Sequence, residues 1–469
     1  MVNRKYLICF SLILALSLWV SKVFSQEKPW APLPNTCPEN LCPADLSCKM
    51  AACVKCGITE DIFPPIAESS LQEYAANRGM WIGATIQTKG DLDYLELYKA
   101  SVNRELNADQ ALLYMKAMWP EIASISAFRV DNLIKNWGEP YKLRLVGGPL
   151  VYSNNSSPDW LNFKQTGCGG WTKAQLEDLL KNYIQTLVNT AESGGNGIAV
   201  WSVVNEPLTN IGKVCWSKTL AEAEPLGTAA YIEKAFKWAK EANPEALLLL
   251  NETFLTEGVD RERVDAFINL LDQLQARQTP IDIIGIEMHL FADKLRPSYV
   301  DEFKYYLEQT KAKGVKVFIT EMDVYQGPAG FFPDPWEVQK QIYKNIVATC
   351  LEYNHCAGLF TWGLSDRYPW TREDDVNPIP DTKPLLFDEN LQRKPAYDGV
   401  MEAFQENLTR ACTPCQKSAD ANGDGLVNLY DIRLWLSNYL NNLFFKETGE
   451  FICDQKLNLF DYGLWLMKK

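Results

Sequence analysis

The feature that most constrains the fold of this 469-residue chain is an alternation of β-rich runs and amphipathic helices between residues 58 and 408. The helical runs place apolar residues three or four positions apart, as on one buried helix face. Residues 173–191 show this spacing at Leu176, Leu179, Leu180, Tyr183 and Leu187. Strands that alternate with helices predict a parallel sheet covered by helices.

Seven β-rich runs stand out, and an eighth, weaker one lies near Asn107. The seven runs are residues 80–87, 142–152, 197–206, 246–251, 282–290, 316–325 and 357–364. Eight units of this kind predict an α/β fold of the (β/α)8 TIM barrel class. An open doubly wound sheet is the alternative, but no G-x-G-x-x-G motif opens a helix after the first strand.

The two ends of the chain differ from this central region. Residues 1–25 have a basic start, a short apolar run and small residues before Gln26, which predicts a cleaved signal peptide and a secreted protein without a membrane span. Residues 26–57 form a short Cys-rich segment. Twelve of the 13 cysteines follow residue 25, and an exported chain is expected to pair most of them as disulfides. Cys350 and Cys356 are close enough in sequence to bridge locally, and Cys168 with Cys215 is the expected central pair.

Charge and histidine content exclude several classes of function. The formal net charge is -13 and no basic stripe is visible, so nucleic acid is a poor partner. The chain has two histidines, His289 and His355, which excludes a catalytic site built on three imidazoles. No cofactor is expected for catalysis.

Carboxylates close several of the predicted strands. One strand ends in Asn205-Glu206 and another in Thr320-Glu321, while Glu287 and His289 end a strand between them. The carboxyl ends of barrel strands meet at one rim, where the chemistry of such barrels takes place. A buried carboxylate is costly unless it is paired, so these residues predict a facing pair of glutamates.

Two glutamates on one rim suit the hydrolysis of a glycosidic bond. One carboxyl group must carry a proton for the leaving oxygen, and the other must be ionised to attack the sugar or to activate water. The alternative is a structural network of ion pairs with Arg and Lys at the rim.

Residues 71–405 resemble the catalytic domain of glycoside hydrolase family 10, the retaining endo-xylanases. The motifs that carry the resemblance are Trp201-Ser202-Val203-Val204-Asn205-Glu206, Gly285-Ile286-Glu287-Met288-His289, Ile319-Thr320-Glu321-Met322-Asp323, Phe360-Thr361-Trp362-Gly363, and Pro384-Leu385-Leu386-Phe387-Asp388 with Lys394-Pro395-Ala396-Tyr397. The resemblance implies that Glu206 is the acid/base and Glu321 the nucleophile. It also implies that the substrate is held by Lys116, Asn205, Glu287, His289, Trp362 and Trp370, and that Cys350 pairs with Cys356.

The chain departs from the family pattern on the glycone side of the expected cleft. The usual His-Thr-Leu-Val-Trp-His reads Gly148-Pro149-Leu150-Val151-Tyr152-Ser153, and the usual Glu-Asn-x-Met-Lys-Trp reads Leu112-Leu113-Tyr114-Met115-Lys116-Ala117. Glu287 stands where Gln is common. Because such contacts position the sugar, we expect an altered substrate preference or reduced activity.

Residues 409–469 form a second predicted unit, a small all-α, EF-hand-like module. Its first loop offers oxygen ligands at the spacing that Ca²⁺ prefers, at Asp420, Asn422, Asp424, Leu426 (through its carbonyl), Asn428 and Asp431. A related loop follows 30 residues later, but Ile452 and Gln455 weaken it. The duplicated module resembles a type I dockerin, which implies a cohesin-bearing scaffold or a cell-surface protein as its partner.

The predicted organisation is thus a signal peptide (1–25), a Cys-rich segment (26–57), a barrel (58–408) and a dockerin-like module (409–469). The leading functional prediction is a secreted retaining hydrolase that cleaves internal β-1,4 bonds of xylan or a related plant β-glycan. A barrel of weak or no activity, which binds glycan and is tethered through the module, is the alternative. A role as a scaffold component alone is the third.

Overall fold

The computed structural model describes most of the central region of the chain. The described residues are 70–76, 78–85, 92–141, 143–154, 156–162, 170–192, 198–210, 214–222, 229–254, 257–369 and 383–406. The predicted signal peptide, the Cys-rich segment, Trp370 and the calcium loop lie outside these residues. The corresponding assignments therefore stay predictions.

The described strands form one parallel sheet that curls into a barrel. They are β1 (Trp81–Ala84), β2 (Ala108–Leu112), β3 (Arg144–Gly148), β4 (Val151–Tyr152), β5 (Ile198–Asn205), β6 (Leu247–Thr253), β7 (Ile283–Phe291), β8 (Lys316–Tyr325) and β9 (Cys356–Thr361). Their order is β1-β9-β8-β7-β6-β5-β3-β2, and a parallel bridge from Thr85 to Gln110 joins the two ends. The predicted (β/α)8 barrel is confirmed.

The helices surround the barrel. In chain order they are α1 (Leu71–Ala76), α2 (Leu92–Glu105), α3 (Met115–Met118), α4 (Ala127–Leu133), α5 (Glu139–Tyr141), α6 (Asp159–Asn162), α7 (Lys173–Glu192), α8 (Pro207–Asn210), α9 (Cys215–Glu222), α10 (Ala229–Ala242), α11 (Arg261–Ala276), α12 (Tyr299–Lys311), α13 (Pro335–Leu351) and α14 (Pro395–Glu406). A π-helical turn, Ile134–Gly138, separates α4 from α5. None of the described helices combines the length and apolar character that crossing a membrane requires.

Local sequence explains where several helices begin. The carboxylate of Asp334 accepts hydrogen bonds from the N–H groups of Trp336 and Glu337, and Pro335 occupies the first turn of α13. Asp260 caps α11 in the same way. These side chains satisfy N–H groups that have no partner within the helix. At the other end of α13, a disulfide from Cys350 to Cys356 confirms the local pair and ties the helix to β9.

Cys215 is also disulfide-bonded. Its predicted partner, Cys168, lies outside the described residues, so this pairing stays a prediction.

The interior of the barrel is a packed core. All strands of the barrel except the short β4 contribute to one apolar cluster. It is made of Trp81, Ala108, Val146, Ala199, Val200, Leu249, Ile283, Phe318 and Phe360. All of these side chains are buried. Layers of this kind fill such barrels, so only the rim is left for a site.

The third stave is interrupted, although the sequence predicts one strand over residues 142–152. Pro149 has no N–H to donate to the ladder, and β3 ends at Gly148 before the chain resumes as β4. Gly148 has a φ of 140°, and a Cβ there would lie 2.6 Å from the carbonyl oxygen of Ser202. The break brings Tyr152 level with Asn205 of β5.

Candidate active site

Polar side chains from four neighbouring strands meet at the carboxyl-terminal rim of the barrel. Asn205 at the end of β5 lies level with Asn251 of β6, and Glu287 of β7 lies level with Glu321 of β8. All four side chains are at most 7% exposed. The predicted rim carboxylates are therefore neighbours.

Irregular strand pairing helps to aim these side chains. The register shifts between Ile286 and Glu287 on β7 and between Ile319 and Met322 on β8. An extra residue in a strand changes which way the following side chains point. Ile286 lies opposite Ile319 and Glu287 opposite Glu321, so Thr320 is an extra residue on β8 and the shift re-aims Glu321. Glu287 keeps the plain alternation of β7.

Asn251 is the hub of the cluster. Its side-chain nitrogen donates hydrogen bonds to Asn205 Oδ1 (2.8 Å), Glu287 Oε1 (2.9 Å) and Glu321 Oε1 (3.1 Å). Its oxygen accepts a hydrogen bond from the hydroxyl of Thr320 (2.7 Å). One amide thus fixes side chains from three other strands.

Gly285 leaves the space that the Asn251 side chain needs. A Cβ at position 285 would lie 2.0 Å from Asn251 Oδ1. Since real Cβ atoms do not approach so closely, any larger residue would displace the hub.

His289 connects two carboxylates of β8. Its Nε2 lies 3.2 Å from Glu321 Oε2 and its Nδ1 lies 2.9 Å from Asp323 Oδ1. The hydroxyl of Tyr325 donates to the other oxygen of Asp323 (2.9 Å). This chain of contacts orients the Glu321 carboxylate and holds the imidazole ring in place.

Glu206 lies just beyond β5 and is held on both oxygens. The hydroxyl of Tyr152 donates to Oε1 and the side-chain amide of Asn210 donates to Oε2, each at 2.5 Å. Its backbone has a φ of 45°, an unusual conformation for a non-glycine residue. Its N–H donates to the carbonyl of Asn251 (2.9 Å), which secures this conformation.

The local charges shift several pKa values. Burial raises the pKa of Glu287 well above its usual range, and the charges of Glu321 and Glu206 raise it further. Burial also raises the pKa of Glu321, but the hydrogen bond and charge of His289 oppose this rise. Burial lowers the pKa of His289, yet the Asp323 and Glu321 carboxylates outweigh burial and hold that pKa well above its ordinary value. The carboxylates that face both ring nitrogens therefore favour the protonated form of His289.

The ligating atoms of Glu287, His289 and Glu321 lie within 4.8 Å of one another. Such a group resembles a metal-binding cluster, but both ring nitrogens of His289 already face carboxylates. We therefore interpret it as a proton-bearing network.

The other predicted substrate-binding residues have different surroundings. Trp362 follows β9 and contacts the His289 ring edge-on, with ring centroids 6.0 Å apart. Lys116 is paired with Asp159 at 3.0 Å, and its side chain is 54% exposed. Trp370 lies outside the described residues. The structure thus groups Trp362 with the rim cluster, whereas Lys116, within the described residues, contacts Asp159 and none of these carboxylates.

Three residues that hold the site, Asn251, Asn210 and Tyr152, are not among the predicted site residues. All three are neutral, whereas the prediction rests mainly on carboxylates at strand ends. A signal for Asn251 was present, because it is the polar residue that ends the predicted strand 246–251. Nothing in the local sequence of Asn210 indicated its contact with Glu206.

Comparison with known proteins places the barrel in a family. The profile of glycosyl hydrolase family 10 matches residues 70–403. The chain belongs to glycosyl hydrolase family 10. As a member of this family, with xylanases among its relatives, it is a glycoside hydrolase.

Curated relatives of this family 10 hydrolase include two xylanases. Endo-1,4-beta-xylanase B of Thermotoga neapolitana is 29% identical over 275 residues, covering 56% of this chain and 70% of the relative. An endo-1,4-beta-xylanase of Agaricus bisporus is 29% identical over 282 residues, covering 59% of this chain and 75% of the relative.

Solved structures agree. Xylanase 10B of Thermotoga maritima has a TM-score of 0.62 at 28% identity, covering 72% of this chain and 99% of its own. Xylanase 10B of Thermotoga petrophila, solved with xylobiose, has a TM-score of 0.61 at 27% identity and covers 75% and 100%.

Proposed function

We propose that this family 10 hydrolase cleaves internal β-1,4 bonds of xylan or a related β-glycan by double displacement. The observation that carries the proposal is the meeting of Glu206 and Glu321 at one rim, where the charge of Glu206 contributes to the raised pKa of Glu321. A retaining hydrolase needs two such carboxyl groups across the scissile bond. The names of the relatives, xylanases in each case above, support xylan as the substrate.

We assign the two roles from the contacts of each glutamate. Glu321 would attack the anomeric carbon, with its carboxylate oriented by His289 and Asn251. Glu206 would protonate the leaving oxygen and later activate water, with its position fixed by Tyr152 and Asn210. Because both oxygens of Glu206 are hydrogen-bonded, its carboxyl group keeps the orientation that proton transfer requires.

The test is release of reducing ends from soluble xylan and from a panel of other plant β-glycans. We expect Glu321→Gln to reduce release to background and Glu206→Gln to lower it by about 10²–10⁴-fold. Glu352→Gln is the control, because Glu352 forms an exposed ion pair with Lys304. Equal rates for wild type and Glu321→Gln would refute the assignment. Nuclear magnetic resonance of the first product should show the retained anomer, and an inverted product would exclude double displacement.

A glycan-binding barrel without catalysis is the second candidate. It is favoured by the residues that replace the expected sugar-holding side chains. Ser153 is buried and its hydroxyl donates to the carbonyl of Asn210 (2.7 Å), so it packs inward. Retention of a glycan in affinity electrophoresis with no turnover after long incubation would favour this candidate. Any turnover that depends on Glu206 would eliminate it.

For the two ends of the chain, we propose export through residues 1–25 and calcium binding by residues 420–431. The support is sequence alone: a signal-like start and an oxygen-rich loop with Gly425 at the sharp turn. The module would dock onto a cohesin-bearing or cell-surface partner. Calorimetric titration of the full chain with Ca²⁺ tests the loop, with Asp420→Ala as the matched variant. Absence of heat in the wild type would refute the calcium site.

A further inference from the structure

Glu287 occupies the middle of the rim cluster, and no Lys or Arg among the described residues forms an ion pair with it. The residue is 5% exposed, and its Oε1 accepts hydrogen bonds from Asn251 (2.9 Å) and, at longer range, Asn205 (3.4 Å). Among the described residues, its Oε2 has no hydrogen-bond partner, yet this atom is not among those sealed from solvent. One oxygen is thus anchored, and the other keeps some exposure to solvent.

The donors around Glu287 are too few for a fully ionised cluster. The Asn251 amide has two hydrogens but faces three acceptor oxygens, on Asn205, Glu287 and Glu321. The Asn205 amide is similarly divided between Glu287 and Glu206, at 3.4 and 3.5 Å. A carboxylate with a full negative charge at position 287 would therefore be poorly compensated.

The neighbouring carboxylates each have better donors. Glu321 faces His289, Asp323 faces both His289 and Tyr325, and Glu206 accepts from Tyr152 and Asn210.

Glu252 on β6, the remaining carboxylate that acts on Glu287, has donors of its own. It is paired with Arg263 at 2.8 Å and accepts from the N–H of Leu208. Of the described residues, His289 is the basic one whose charge lowers the pKa of Glu287, and its two ring nitrogens already face Glu321 and Asp323. Any proton shared by this cluster is therefore best placed on Glu287.

We propose that Glu287 is a neutral carboxylic acid in the working enzyme and that its Oε2–H donates a hydrogen bond to the sugar held between Glu206 and Glu321. The hydrogen bond to a sugar rests on the proposed function. The protonation of Glu287 does not. A carboxylic acid has a donor on one oxygen and an acceptor on the other, whereas a side-chain amide has two N–H donors and a carbonyl acceptor, so the acid can take the place of a Gln at this position, with one donor fewer and no added charge. Glu287 is a binding and positioning residue in this proposal and takes no part in bond cleavage.

The proposal has a consequence for the pH range of the enzyme. Loss of the Glu287 proton removes the donor and puts a second negative charge beside Glu321, which disfavours sugar binding at that point. The raised pKa of Glu287 agrees with this arrangement, and burial is its main cause. The enzyme should therefore lose kcat/KM on the alkaline side through ionisation of Glu287.

The first experiment does not depend on hydrolysis. Infrared spectra of the full chain are recorded at neutral pH with unlabelled and with isotopically labelled glutamate. The difference between the two spectra should contain the C=O stretch of a protonated glutamic acid. Glu287→Gln should lack this band. Asp109→Asn is the control, since Asp109 on β2 is a fully buried carboxyl group that also has a raised pKa. Absence of a Glu band at neutral pH, or its persistence in Glu287→Gln, would overturn the proposal.

The second experiment is a pH profile of kcat/KM on soluble xylan or on the best glycan of the panel. At the highest pH of the alkaline limb, kcat/KM of Glu287→Gln should be at least tenfold higher than that of the wild type. On the acid side the two values should differ less than threefold. Asp109→Asn should retain the profile of the wild type. An unchanged alkaline limb in Glu287→Gln would overturn the role in the cleft. If the wild type hydrolyses nothing, the proposed function fails, and the infrared result still decides the state of Glu287.

Discussion

At the scale of single residues, Asn251 has no substitute within the rim cluster. The side-chain nitrogen of Asn251 donates to Glu287, Glu321 and Asn205, and all three lose this hydrogen bond when it is removed. We expect Asn251→Ala to lower kcat/KM about 10²-fold, because misplacement of reacting groups by about 1 Å has that effect. The free energy of unfolding should fall by about 1–3 kcal/mol, since buried acceptors lose their partner.

Asn136→Ala is the matched control for that variant. Asn136 is exposed and bonds within its own helical turn to Asn132. Its loss should change the free energy of unfolding by less than about 0.5 kcal/mol. Urea denaturation and steady-state kinetics measure both effects, and wild-type kinetics in Asn251→Ala would show that the hub has no role.

The raised pKa of Glu287 also predicts how stability depends on pH. The unfolded chain releases this proton near pH 4.3, whereas the folded chain holds it to a higher pH. Between these two pKa values the folded state binds more protons, so the contribution of Glu287 to stability falls as pH rises. We expect the Tm of Glu287→Gln to exceed that of the wild type by an increasing margin from pH 5 to pH 8. A margin that stays constant or shrinks over this range would contradict the shift.

At the scale of secondary-structure elements, the connection between β9 and α14 depends on a buried ion pair. Lys394 lies 2.7 Å from Asp366, and both side chains are at most 4% exposed. The ammonium group also donates to the carbonyls of Lys383 and Leu385, each at 2.6 Å. This network holds the segment that follows Trp362 against the barrel.

Lys394→Ala should therefore destabilise the barrel strongly. It leaves the Asp366 carboxylate buried without its cation, which costs about 3–5 kcal/mol in comparable cases. Lys304→Ala is the control, because the Lys304–Glu352 pair has side chains 38% and 41% exposed, and such pairs contribute about 0–1 kcal/mol. Chemical denaturation of both variants gives the comparison. If the two variants lose similar amounts of unfolding free energy, the buried pair contributes no more to stability than an exposed one.

The elements themselves were largely predictable, while the contacts at the rim were not. The alternation of strands and helices predicts a β-rich run at each strand position of the barrel, because apolar periodicity is a local property of the sequence. The prediction of one strand over residues 142–152 is wrong at Pro149, because proline lacks the N–H that the ladder needs. The hydrogen bonds of Asn210 and Tyr152 to Glu206 join residues that the fold brings together, and extra residues on β8 re-aim Glu321. No periodic pattern in a single sequence records such shifts.

At the scale of the whole molecule, the contacts that close the barrel are made within the described residues. Arg78 donates to the carbonyl of Phe404 (2.9 Å), and the helices α1 and α14 pack at the same place. The family match also ends at residue 403. The rim residues derive their positions from strands β4 to β9 and from α8, which all precede that residue. The barrel should therefore fold and act without the predicted calcium module.

We accordingly expect a chain that ends at residue 408 to retain kcat/KM on a soluble glycan within about twofold, because the rim contacts are local to the barrel. Its Tm should not respond to chelation of Ca²⁺, whereas the full chain should show a chelation-sensitive step if residues 420–431 bind the ion. Steady-state kinetics and scanning calorimetry in the presence and absence of chelator test both points. A large loss of kcat/KM on truncation would mean that residues 409–469 contribute to the barrel, and the two predicted units would then have to be treated as one.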